Sequence, residues 1–302
     1  MYFSSSSAFL SRCSLVLLCA AACSAAAAAS TPSDPTLALA LQQVYRVLGD
    51  KLSHSPFGRP LVLDSSELPD GLQGDVYAVV AHPLTDLLAA FDSPQRWCEA
   101  LLLHVNNRRC QADSTPGRES VTLSVVRRYD KPIDSAFTLP FVYRAVSRRA
   151  DYMAVELTAE DGPLGTRNYR VVLEAVPLGA SRTFLHFSYA YEHSMMARVA
   201  TQAYLATFGS DKVGFTSLGR LPGGEVDWIR GSRALVERNA MRYFLAVDAY
   251  LDALPLPAEK RRDERLQGWF ASVERYPRQL HEIDRETYLE LKREDRARDG
   301  AP

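Results

Sequence analysis

The chain has 302 residues, 47% of them hydrophobic and 24% charged, which is enough apolar material for a sizeable core. Its 35 Lys and Arg against 36 Asp and Glu leave a formal charge of −1, so no global field invites nucleic acid. The basic residues Arg144, Arg148 and Arg149 have no aromatic platform for bases interleaved with them, which argues against single-strand binding as well.

Residues 1–30 carry one charge, Arg12, followed by an apolar run over residues 13–22 and small residues through Ser30. This is the pattern of a secretory signal peptide, and the run is too short for a membrane span. Cleavage at an Ala-x-Ala site within residues 20–29 is one outcome. Lipidation at Cys23 is the other, since Ala21-Ala22-Cys23 resembles the end of a bacterial lipobox, although Ala20 replaces its usual large aliphatic residue. Ordinary cleavage is favoured, and the expected location is periplasmic or secreted, with a lipoprotein through Cys23 as the variant. Of five cysteines, Cys98 and Cys110 lie beyond the leader. An even pair in an exported chain reads as one disulfide.

The mature chain opens on a helix over residues 33–50, with Leu37, Leu41, Val44 and Leu48 at helical spacing. Strands follow at residues 60–64 and 74–81, separated by the turn Pro69-Asp70-Gly71. Two short helices are expected at residues 84–91 and 93–102, the second with Ser93 as cap and Pro94 at its first position. Further strands are expected at residues 103–111, 120–129 and 137–147. Residues 151–191 then read as three consecutive strands with period-two alternation. Met153, Val155 and Leu157 share one face of the first, Tyr169, Val171 and Leu173 of the second, Phe187 and Tyr189 of the third.

Residues 195–208 form an apolar helical stretch, read as a packing helix before a lid or a transient membrane contact. A glycine-punctuated connection over residues 209–224 has no Gly-Lys-Ser/Thr and supports no phosphate loop. Residues 231–254 form a long helix in which Val236, Ala240, Tyr243, Val247, Tyr250 and Leu254 make a buried stripe. Arg238, Arg242 and Asp252 fall toward its opposite side. Charged helices with narrow apolar edges close the chain at residues 258–272 and 278–296.

This order resembles the START-like, or helix-grip, superfamily, in which a curved antiparallel sheet wraps around a C-terminal helix. The residues that carry the resemblance are Trp97-Cys98, His104 with Asn106, Cys110, Gly162-Pro163-Leu164-Gly165, and Glu237-Arg238-Asn239 with Arg242-Tyr243. They look like those of exported bacterial members. The resemblance implies an α+β fold and a cavity between sheet and helix that holds a hydrophobic small molecule or lipid, as family members do, some of them as enzymes. The implied organisation is a leader (residues 1–30), an N-terminal helix and linker (31–57), a ligand-binding domain (58–254) and a charged helical extension (255–302).

The candidate cavity wall comprises Met153, Val155, Leu157, Tyr169, Val171, Leu173, Phe187 and Tyr189 on the sheet, and Asn239, Tyr243 and Val247 on the helix. The same apolar faces close equally well into a filled core, which leaves a structural or interaction protein as a further reading. Asn239, at the edge of the stripe, is a candidate for a ligand's polar head, with a bond to a strand or loop as its ordinary explanation. Glu237 is expected to pair with Arg233 or Arg238. His104 is the one candidate acid–base group, for an enzyme acting on a hydrophobic carbonyl compound. With no nucleophile implied beside it, it reads first as structural, and the chain as a binder before an enzyme. His186 is expected on the outer face of the sheet. Neither a cofactor nor a metal is expected, His104 alone being too few ligands.

Overall fold

The computed structural model describes residues 34–194, 196, 199 and 211–299. The expected leader with Cys23, and residues 195–208 apart from Met196 and Val199, lie outside this set. The described residues make one compact unit. Among the described residues no helix is long and apolar enough to cross a membrane.

Eight antiparallel strands form one sheet in the order β1-β2-β8-β7-β6-β5-β4-β3. These are β1 (Leu61–Leu68), β2 (Gly71–Val80), β3 (Asn107–Asp113), β4 (Ser120–Val125), β5 (Phe137–Arg148), β6 (Met153–Asp161), β7 (Thr166–Pro177) and β8 (Thr183–His193). The helices α2 (Leu84–Ala90) and α3 (Pro94–Leu101) connect β2 to β3. The sheet curves around the long helix α4 (Gly231–Asp252), an α+β helix-grip architecture. The alternation read from β6, β7 and β8 sets the register: Val171 lies opposite Leu157 and Tyr189, and Leu173 opposite Val155 and Phe187. All of them point to the α4 side and belong to the main core. α4 crosses the sheet at Gly74, where a Cβ would sit 3.0 Å from that of Ala240 and 3.1 Å from the Val236 carbonyl oxygen. Only a residue without a side chain permits so close a crossing.

The other face of the sheet is also covered. Helix α1 (Asp34–Ser53) places Ala38, Leu41 and Leu52 against Tyr152, Ala154, Val176 and Phe184, a second, smaller core.

Several expectations need correction. Residues 103–106 form a turn, and β3 starts only at Asn107, because the Asn107 side-chain amide donates to the Leu101 carbonyl (2.8 Å) at the end of α3. The glycine-punctuated connection holds an unforeseen hairpin, β9 (Ser217–Arg220) with β10 (Val226–Trp228). Arg238 and Arg242 are buried rather than facing solvent. The reason lies in the C-terminal helices α5 (Ala258–Val273), α6 (Pro277–Leu280) and α7 (Arg285–Asp299), which pack over that side of α4. Their Trp269, Phe270, Leu280 and Tyr288 enter the same core as the sheet. The last expected helix is interrupted after α6. Asp284 caps α7, accepting from the Thr287 N–H at 2.9 Å and the Thr287 hydroxyl at 2.6 Å.

Candidate functional site

The concave face of the sheet is not uniformly packed. Along β8, Leu185 and Phe187 are 0% exposed but Tyr189 and Tyr191 are 8% exposed. Along β7 the sequence Ala175, Leu173, Val171, Tyr169 runs 0%, 0%, 4% and 7%. Accessibility therefore rises toward one end of both strands, and that end is lined by tyrosines. Tyr169 stacks on Tyr191 (centroids 5.2 Å apart), and Phe141 meets Tyr169 edge-on at 6.3 Å. Tyr189 reaches Tyr243 of α4 at 5.5 Å.

Local sequence explains why the rings fit. The β6–β7 connection Gly162-Pro163-Leu164-Gly165 turns back beneath Tyr169, and a Cβ on Gly162 would fall 2.3 Å from the Tyr169 ring. The Tyr169 hydroxyl donates to Thr166 Oγ1 (2.9 Å), and that hydroxyl donates to the Pro163 carbonyl (2.5 Å). Burial raises the phenols of Tyr169, Tyr189 and Tyr191 above their ordinary value. Tyr243 is only half-buried, yet it lies deep enough for burial to push its phenol up to about 12 against a lowering contribution from Asn107.

His104 adjoins this wall from the other side, with its ring 4.9 Å from that of Tyr243 and 6.2 Å from that of Trp269. Its turn is tied at many points. Cys98 and Cys110 form a disulfide that joins α3 to β3 across it. From α7, Lys292 Nζ donates to the carbonyls of His104 and Asn107 (2.8 Å each), and the Tyr288 hydroxyl donates to that of Leu103 (2.8 Å). The buried pair Arg108–Asp295 (2.8 Å) fastens α7 to β3.

The Asn106 N–H donates to His104 Nδ1 (3.1 Å), so the neutral ring carries its proton on Nε2. Among the described residues His104 Nε2 and Asn107 Oδ1 are buried with no hydrogen-bond partner. Burial first, and then the cation of Arg242, push the imidazole down to about 3. With Tyr243 near 12 and His104 near 3, neither group exchanges a proton around neutral pH. The two offer neutral hydrogen-bonding groups at the edge of an aromatic wall.

The remaining sequence-predicted residues separate into two sets. Met153, Val155, Leu157, Leu173, Phe187 and Val247 are fully buried deeper in the same cluster. Asn239 is half-buried on α4. Among the described residues Glu237 pairs with no arginine. It accepts from the hydroxyls of Ser65 and Thr216 (2.6 Å each) and from the N–H groups of Phe215 (2.5 Å) and Thr216 (3.0 Å). His186 does lie on the outer face, but between Asp75 (2.8 Å) and Glu174 (3.1 Å), with Tyr77 stacked on it at 4.4 Å. Among the described residues no group of His, Cys, Asp and Glu is placed to hold a metal.

No family profile matches the chain, and no curated protein matches it by sequence. Solved structures similar to it include a norcoclaurine synthase from Thalictrum flavum, at 17% identity over 49% of this chain and 88% of that one, with a TM-score of 0.33. The ZhuI aromatase/cyclase from Streptomyces sp. R1128 aligns at 12% identity over 68% of this chain and 95% of that one, with a TM-score of 0.33. Ara h 8.0201 aligns at 8% identity over 61% of this chain and 99% of that one, with a TM-score of 0.36. With a curved antiparallel sheet wrapped around one long helix, the chain has the helix-grip fold.

Proposed function

We propose that the protein binds a hydrophobic small molecule or lipid between the sheet and α4, at the end lined by Tyr169, Tyr189, Tyr191 and Tyr243. One observation carries this reading: exposure rises along β7 and β8 toward the aromatic end, where Tyr169, Tyr189 and Tyr191 keep 7–8% and Tyr243 of α4 is half-buried. An aromatic wall that keeps accessible surface and carries a few polar groups is what an apolar ligand needs. Each Å² of apolar ligand surface removed from water contributes about 25 cal/mol, so no charged contact is required for retention.

The proposal places this binder outside the cytoplasm, as a periplasmic or secreted carrier of the exported bacterial kind. The leader-like pattern of residues 1–30 and the Cys98–Cys110 disulfide support that placement. Transient membrane contact during loading belongs to the same reading. Catalysis by His104 is the weaker alternative, because an imidazole held at about 3 is a poor general base.

The test is titration with the neutral fluorescent probe N-phenyl-1-naphthylamine. Val171→Trp, which fills the accessible end beside Tyr189, is expected to weaken binding at least about tenfold while the thermal transition stays cooperative. Val142→Trp, at an exposed position of β5, serves as the control and should bind as the wild type does. Failure of the wild-type protein to bind the probe, or equal binding by Val171→Trp, argues for a filled core.

A further inference from the structure

The turn over residues 103–107 adjoins the tyrosine wall through His104, and its main chain is held at many points. The Leu103 carbonyl accepts from the Tyr288 hydroxyl, and the carbonyls of His104 and Asn107 accept from Lys292 Nζ (2.8 Å each). The His104 carbonyl also accepts from the Asn107 N–H (3.1 Å), and that of Asn106 from the Val126 N–H (2.9 Å). The Cys98–Cys110 disulfide closes the chain around the turn. Within this frame three side-chain atoms from four consecutive residues are left over. His104 Nε2, Asn106 Oδ1 and Asn107 Oδ1 are buried with no hydrogen-bond partner among the described residues. His104 is 4% exposed and Asn107 0%. Buried polar atoms are nearly always met by protein or by a bound molecule, so each exception asks for an explanation.

The role of each atom is set by what the rest of its side chain does. His104 Nδ1 accepts from the Asn106 N–H (3.1 Å), so Nε2 of the neutral ring bears the proton and is a donor. The Asn107 NH₂ donates to the Leu101 carbonyl (2.8 Å), which orients the amide and leaves Oδ1 as an acceptor. Asn106 Oδ1 adds a second acceptor. One donor beside two acceptors suits a neutral hydroxyl, which accepts from the imidazole and donates to an amide oxygen. A carboxylate or phosphate would satisfy the imidazole but set its charge against the amide oxygens. An ether oxygen would leave both amides unmet. The His104 ring stacks on Tyr243 (centroids 4.9 Å and planes 27° apart), and Tyr243 continues to Tyr189 at 5.5 Å. The polar turn is therefore one ring away from the apolar wall.

We infer that His104, Asn106 and Asn107 receive the hydroxyl group of a neutral, otherwise apolar ligand whose skeleton lies along Tyr243 and Tyr189. This rests on the ligand site proposed above and names the class of ligand: an alcohol or phenol, as against a hydrocarbon or an acid.

The test is calorimetric titration of the wild-type protein with four compounds of one skeleton: 2-naphthol, 2-methoxynaphthalene, 2-methylnaphthalene and 2-naphthoate. 2-Naphthol should bind about fivefold or more tighter than the methoxy and methyl compounds, the size expected for one or two neutral hydrogen bonds. 2-Naphthoate should bind more weakly than 2-naphthol. His104→Phe keeps a ring on Tyr243 and removes both nitrogens, and it should bring 2-naphthol to within about twofold of the methoxy compound. The ratio is read within each variant, so a general change of affinity cancels. If that variant does not fold, the wild type supplies the same readout by ¹⁵N NMR. Its His104 Nε2 proton should move downfield with 2-naphthol and not with 2-methylnaphthalene. Equal binding of 2-naphthol and 2-methylnaphthalene, or an Nε2 proton that 2-naphthol leaves in place, overturns the assignment in favour of an enclosed water on these atoms and leaves the pocket reading intact. Tighter binding of 2-naphthoate overturns it in favour of an anion site. Absence of binding by all four compounds and by N-phenyl-1-naphthylamine removes the pocket reading, and this inference with it.

Discussion

Glu237 is the most heavily used buried carboxylate on α4, and Glu237→Ala is the perturbation that tests how α4 is seated. The side chain is 0% exposed and accepts four hydrogen bonds, two from hydroxyls and two from backbone N–H groups. It ties α4 to β1 through Ser65 and to the segment before β9 through Phe215 and Thr216. Arg233 donates to the same Ser65 hydroxyl at 3.0–3.1 Å, so the network reaches the first turn of α4. After truncation the two hydroxyls can rotate toward other acceptors, but the two N–H groups cannot. A buried donor left unmet costs about 1–3 kcal/mol, so the loss should be about 4 kcal/mol, a large share of a typical domain's roughly 5–15 kcal/mol. Glu237→Gln should lose less, since its amide oxygen can keep both N–H groups, which share one carboxylate oxygen, while its NH₂ donates to the two rotatable hydroxyls. Urea denaturation at neutral pH, followed by circular dichroism, measures both. A loss below about 1 kcal/mol for Glu237→Ala, or a Gln variant as unstable as the Ala variant, would refute this and show that the two N–H groups find other partners or that charge is what counts.

Three other perturbations follow from particular contacts. Reducing Cys98–Cys110, whose partners are 12 residues apart, should cost about 3 kcal/mol in the chain-entropy account; an unchanged urea midpoint on reduction would contradict it. For His186, burial lowers the pKa but the bonds and charges of Asp75 and Glu174 outweigh it, raising it to about 9. Its contribution is therefore complete below the ordinary value of about 6.5 and is lost as pH rises through about 9. The carboxylates of Asp75 and Glu174, both lowered, contribute above their ordinary range and lose that contribution on acidification. His186→Phe should flatten the alkaline limb of the stability profile, and a wild-type midpoint constant from pH 7 to about 10 would count against this. Val171→Trp should exclude the neutral probe from the site, as set out above, and persistent binding would speak for a filled core.

The sequence was legible where one period governed an element and one neighbour covered it. The three strands carrying Met153–Leu157, Tyr169–Leu173 and Phe187–Tyr189 alternate strictly, and they pair in the register that places these residues on one face. The stripe Val236–Ala240–Val247–Tyr250 of α4 is buried as its spacing implies. Spacing failed for Arg238 and Arg242, because amphipathic logic assigns charge to solvent, and here a second layer of helices covers that side. The narrow apolar edge of the last helices, with Leu280 and Ile283, was the available signal, and both are buried. The role of Glu237 was not legible at all, since Ser65 and Thr216 are remote from it in sequence. His104 was legible as a residue to watch but not as part of a turn, because the tie from Lys292 depends on a helix 188 residues further along. The β9–β10 hairpin had a signal in Gly223-Gly224, where Gly224 adopts a positive φ of 87°.

Native mass spectrometry of the protein purified without detergent reports whether the proposed site between sheet and α4 holds an apolar ligand. The wild type should carry an adduct that gentle activation releases as a small, organic-extractable molecule. Val171→Trp, prepared in parallel, should appear at its bare mass. A wild-type protein at bare mass in every preparation, with nothing recovered in the extract and no uptake of an added apolar probe, would contradict the account.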